Sequence, residues 1–146
     1  MSKTNTFEND LLLLIFNNVD IALIGDAAGI QNSAAPGSLY VSIHTADPAE
    51  GGAQNTSEAA YTGYARIAVA RSGAGWIVTG NSVSPAAAID FGECTAVPGA
   101  PITHFGVGAE LSGAGKLMYK GAVTPNITVA VGVVPRLKTT TVITED

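Results

Sequence analysis

Charge is what this sequence has least of. Of its 146 residues, 13% are charged, about half of the roughly 25% usual in soluble proteins. A free monomer keeps a charged surface for solubility, so a chain this poor in charge is expected to turn part of its surface toward other protein. Lys and Arg number 7 against 12 Asp and Glu, for a net charge of −5. That leaves no basic face on which to neutralise phosphates, and Arg66/Arg71 and Lys116/Lys120 read as flanks of strands rather than as a nucleic-acid site. Cys94 is the single cysteine, which excludes an intrachain disulfide and gives no sign of secretion. No long hydrophobic run exists either: Leu11–Phe16 is broken by Asn17, Asn18 and Asp20, far short of the roughly 20 apolar residues a membrane span needs. Glu8 and Asp10 stand where a signal peptide would carry basic residues. Aromatic residues are 6% of the chain and dispersed, so they form no stacking platform and read as core and interface anchors.

What is present is small-residue-rich, with 17 glycines and much alanine. Turn residues punctuate apolar runs every 8 to 15 positions or so. The alternation of Leu39, Val41 and Ile43 with Tyr40, Ser42 and His44 predicts a strand. Asp47-Pro48 then opens a polar loop to about Ala60, longer than a tight hairpin needs and so a candidate contact loop. Arg66–Arg71 predicts a second strand, and Trp76–Thr79 a third that turns at Gly80-Asn81, with a hairpin from Ala65 to Val83. Short strands follow at Ile89–Phe91, Ile102–Val107 and Leu117–Lys120. The period-2 run Ile127, Val129, Val131, Val133 predicts another, and Arg136–Ile143 a last one.

The one helix lies in residues 1–18. Asn5 is its expected N-cap with Glu8 completing a capping box, and Phe7, Leu11, Leu14 and Ile15 share a face. Leu12, Leu13 and Phe16 fill much of the opposite face, so the helix needs cover on both sides. Val19–Ile24 reads as a short strand or more helix. The reading is an all-β protein, a β-sandwich or jelly-roll-like barrel with a short N-terminal helix. Residues 1–37 form a helical arm and connector, and residues 38–146 the β-sandwich domain.

Chemistry-bearing motifs are missing. His44 and His104 fall in strands with no second ligand at metal spacing, and read as partly buried strand residues. Cys94 with His104 lacks the basic or helix-N-terminal surroundings that activate a thiol. Gly113–Lys116 resembles the end of a phosphate loop, but Glu110 and Leu117 stand where the motif requires Gly and Ser/Thr. The sequons at Asn55 and Asn126 are short enough to arise by chance. No catalytic, cofactor-binding or metal-binding residue is assigned, no cofactor is expected, and an envelope-degrading hydrolase lacks its acid/base pair.

The succession LYVSIHTADP, YTGYARIAVAR, Gly75-Trp76, ITHFGVG and GKLMYKGAV, from about Leu39 to the closing ITED, covers about three quarters of the chain. Over that span the chain resembles a group of small tailed-bacteriophage virion proteins, often labelled tail fibre or minor structural proteins. The resemblance implies a non-enzymatic virion structural role and transfers no site residue. Shortness, absence of repeats and low charge lead to the expectation of a capsid decoration or cement protein, on the capsid exterior before the tail and made in the host cytoplasm. The alternative is a tail, baseplate or tail-fibre component that attaches to the host surface. Expected partners are further copies of itself, as a trimer first and a dimer second, and the major capsid protein or other virion proteins. Neither nucleic acid nor a membrane is expected. Candidate contacts are Phe7, Leu11, Leu12 and Phe16 on the helix and Asp47, Glu50 and Tyr61 in or beside the long loop.

Overall fold

The computed structural model describes residues 2–146. It is mostly β, with one short N-terminal helix and three open sheets, the class expected of a β-sandwich. The helix is α1 (Asn5–Asn17), and the strands are β1 (Ser38–His44), β2 (Ile67–Ala70), β3 (Trp76–Thr79), β4 (Ser82–Pro85), β5 (Ile89–Asp90), β6 (Ile102–Gly108), β7 (Leu117–Ile127), β8 (Arg136–Leu137) and β9 (Ile143–Thr144). The sheets run β2-β1-β6-β7, β3-β4-β9 and β5-β8. Two compact units result, interleaved along the chain. One comprises residues 2–38, Val69–Ala88 and Lys138–Asp146, and the other Leu39–Ala68 and Ile89–Leu137.

In the first unit α1 packs on the β3–β4 hairpin. The helix forms because a Leu-rich run free of Gly and Pro follows Thr4, and it stops at Asn18, which takes the left-handed conformation (φ +58°) that asparagine tolerates. Its N-cap is Thr4, one residue before the expected Asn5, and no side chain caps the first turn. The expected capping box is therefore absent. The buried stripe is Glu8, Leu12 and Phe16 rather than the Phe7/Leu11/Ile15 face, because in a helix apolar nearly all round the pattern does not select the buried side. Phe16 meets Trp76 edge to face, with ring centroids 4.9 Å apart. Both are enclosed, and the Trp76 indole N–H has no hydrogen-bond acceptor.

The hairpin itself closes at Gly80-Asn81, where Gly80 at φ +58° supplies the positive φ a two-residue turn wants at its first central position. β2 pairs with β1 instead of opening a hairpin into β3, as had been expected from Ala65–Val83. Val19–Ile24 contributes only a bridge, Ile21 to Ile30. Asn18 and Ser33 exchange two hydrogen bonds across the neck of that segment.

The second unit is built on β1 and β6, antiparallel from Tyr40↔Gly108 to His44↔His104. β7 then adds to β6 from Gly108↔Leu117 to Ile102↔Ile127, with register shifts near each end. The expected strand over Ile127–Val133 does not form. The chain turns there with Gly132 at φ +84°, and its backbone bonds to the segment around Cys94 instead of a ladder. The expected last strand, Arg136–Ile143, reduces to the two-residue pieces β8 and β9.

Two substitutions test the helix–hairpin core. Phe16→Ala should cost about 3–5 kcal/mol, the usual range for emptying a buried aromatic site. Trp76→Phe should cost clearly less, because it also removes an unpaired buried donor. Chemical denaturation followed by circular dichroism checks both, and equal losses would show that the indole N–H is satisfied.

Candidate functional site

Pairing partners in a sheet share a face. The β1–β6–β7 register therefore places Val41, Ile43, Phe105, Val107 and Tyr119 on one side and Tyr40, Ser42, His44, His104, Gly106, Gly108, Leu117 and Lys120 on the other. The first side is apolar and forms core. The second is polar, yet Ser42 and His44 are completely buried. Residues 45–60 make this possible by folding flat over it. The loop closes on itself where Thr45 N–H donates to Ser57 O, and on the strand where Ala59 N–H donates to Ile43 O.

Three loop residues reach down into the sheet. Gln54, fully buried, donates from Nε2 to Tyr40 O and accepts from Glu110 N–H at 2.9 Å, while its own N–H donates to Gly115 O. Glycine at 108 leaves the necessary space, since a Cβ there would lie 2.1 Å from Gln54 Cδ. Thr56 presents its carbonyl to His44 Nδ1 at 2.9 Å, and Ser42 Oγ sits 2.9 Å from His44 Nε2. Burial depresses the basicity of His44 more than the Thr56 carbonyl and the Glu58 charge restore it. The ring is thus neutral, with Nδ1–H donating to Thr56 and Nε2 accepting from Ser42.

Glu58 carries the third link. Its carboxylate accepts from Arg66 Nε at 2.7 Å and Nη2 at 2.8 Å, and from the Tyr64 hydroxyl at 2.7 Å. Arg66 then donates to Glu110 O and Gly113 O in the β6–β7 turn. A fork of this kind suits guanidinium geometry. The bond to Glu58 raises the Arg66 pKa, and burial followed by the bond to Glu58 pushes that of Tyr64 up. Tyr61 donates to Gly92 O and is held, mainly by burial, at about 12.

At the loop's outer rim Lys120 lies 2.9 Å from Asp47 and 3.5 Å from Glu50. The Ala49 N–H and then Lys120 hold the Asp47 carboxyl below its usual range, and Asp47 holds the Lys120 ammonium above its own. Beside this cluster Ala49, Glu50 and Gly52 face Leu117–Lys120 across a shallow polar cleft of about 200 Å³.

The arrangement does no evident chemistry. Ser42 and His44 have the spacing of a nucleophile and its base, but both are completely buried and lean over Gly106. A Cβ on Gly106 would already stand 2.8 Å from His44 Nε2 and 2.9 Å from Ser42 Oγ. Among the described residues no group of three or more His, Cys, Asp or Glu could hold a metal ion, and no helix is long and apolar enough to cross a membrane. His104 stands opposite His44 in the ladder and bonds to Thr103 Oγ1. Cys94 is buried.

The family model for podophage GP4 fiber I protein gp80 matches residues 3–145. The chain belongs to this family. It is therefore a bacteriophage virion structural protein of a fibre type. No curated protein matches the chain. Of the contact residues read from the sequence, Asp47 and Glu50 stand exposed at the loop rim, while Phe7 and Leu11 are half-exposed. Leu12, Phe16 and Tyr61 are buried inside their own units. Sequence reading passed over Gln54 and Glu58 and took Arg66 for the flank of a strand, though these three tie the loop down. Their one advance signal was the alternation of Gly106 and Gly108 on a single strand face, which leaves room for something to lie against it.

Arg66→Met should lower stability by about 3–5 kcal/mol, since it strands the Glu58 carboxylate in a mostly buried position. Adding Glu58→Leu should recover part of that loss. Equilibrium denaturation of the single and double variants decides this, and a strictly additive double variant would show that the two side chains are not coupled.

Proposed function

We propose that this protein is a non-enzymatic component of a phage tail fibre, working by contact at or near the host surface. The observation that carries the reading is the match of a fibre-protein family over residues 3–145. The form of the long loop supports it. A contact surface is more selective when its loops are held before binding, and here Gln54, Thr56 and Glu58 anchor the loop from beneath while Asp47 and Glu50 face outward. Low charge supports burial of some surface against other virion proteins or further copies of the chain.

The capsid-decoration reading draws on the same low charge and small size. Neither property distinguishes it from a fibre role, and the family description favours the fibre. Immunogold labelling of intact virions separates the two: label should fall on the tail region at few copies per particle. Dense label over the head would replace the fibre reading with decoration. Purified protein should also slow phage adsorption to host cells in a dose-dependent way if the contact is made with the host.

A further inference from the structure

We propose that His44 is an acid-operated latch, holding residues 45–60 against the polar face of the sheet when neutral and releasing them when protonated. The neutral ring is fully served, with one nitrogen donating to Thr56 O in the loop and the other accepting from Ser42 Oγ. The cation is not. Nε2 would become a donor toward Ser42, whose own proton would have to turn to Gly106 O at 3.5 Å, a weak bond. The new charge would also lie in a place with no exposed surface.

No neighbouring group fully compensates that charge. Glu58, bridged to His44 across the loop base, is the nearest acid, and both of its oxygens are engaged by Arg66 and Tyr64. Arg66 beside it is itself positive. From β6, His104 faces His44 across the ladder. From β7, Lys120 shares the same face and is engaged with Asp47 and Glu50. Lifting the loop exposes the ring to water and removes the penalty.

The sign follows from linkage. The closed state binds the proton more weakly than the open one, so closure is most favoured above the ordinary histidine range and weakens as pH falls below about 6.5. Between pH 7.5 and 5.0 the open population rises by at most about 30-fold, the limit for a closed form that stays unprotonated and an open-state pKa near 6.5.

Amide hydrogen exchange by NMR, corrected for intrinsic rates, tests the latch on the intact chain, together with ¹⁵N shifts of the His44 ring. The amides of Thr45, Gln54 and Ala59, whose bonds close the loop, should open several-fold more at pH 5.0 than at 7.5, up to about 30-fold, while β3–β4 amides keep their protection. His44→Gln should abolish the response and His104→Gln should leave it. If His44→Gln does not fold, the wild-type ring shifts still report whether protonation and loop opening coincide. The latch is overturned if loop protection is independent of pH, if the ring takes its proton with the loop still closed, if all amides open together, or if the response disappears in His104→Gln.

Discussion

The Glu58–Arg66 fork is the interaction on which the second unit depends. A sheet that is polar on one side normally leaves that side to water. Here the polar side is covered, and each donor and acceptor under the cover needs a partner from the covering segment. Arg66 supplies the decisive ties: it binds the end of the loop through Glu58 and the β6–β7 turn through two carbonyls. The loop and the turn are fixed to one another through this side chain and through Gln54. Gln54, through Tyr40 O, and His44, through Thr56 O, also pin the loop to the sheet.

This construction separates rigidity from chemistry. Gly106 and Gly108 carry no side chains, and the space they leave is filled by Ser42, His44 and Gln54. The polar groups under the loop are thereby committed to holding a shape. The exposed groups of the same loop, Asp47 and Glu50, are left free of that duty apart from their ion pairs with Lys120.

The sequence was legible where local periodicity and turn chemistry agree. β1 and β6 show alternation on a strand whose two faces have different solvents, and the Gly80-Asn81 hairpin is written in its turn residues. Ile127–Val133 alternates equally well but is not a strand, because Gly132 turns the chain and the backbone finds its partners near Cys94. Alternation reports an amphipathic segment and says nothing of which backbone lies alongside. In α1, Leu at four successive positions erased the contrast that would have identified the buried side. The anchors of the loop were invisible for a different reason: Gln54 and Arg66 are ordinary polar residues until Glu110, Gly113 and Gly115, some 50 positions away, are brought beneath them.

The interleaving of the two units bears on how the chain comes into being. The unit that holds α1 draws on three separate stretches, and β9, the edge partner of β4, lies only at Ile143–Thr144. During synthesis the helix and the β3–β4 hairpin are made early and then wait, their sheet incomplete, until Ile143–Thr144 has been made. The other unit, whose last stretch ends at Leu137, can close on its own strands before that. A chain interrupted near residue 137 would lack β9 and leave the free edge of β4 open.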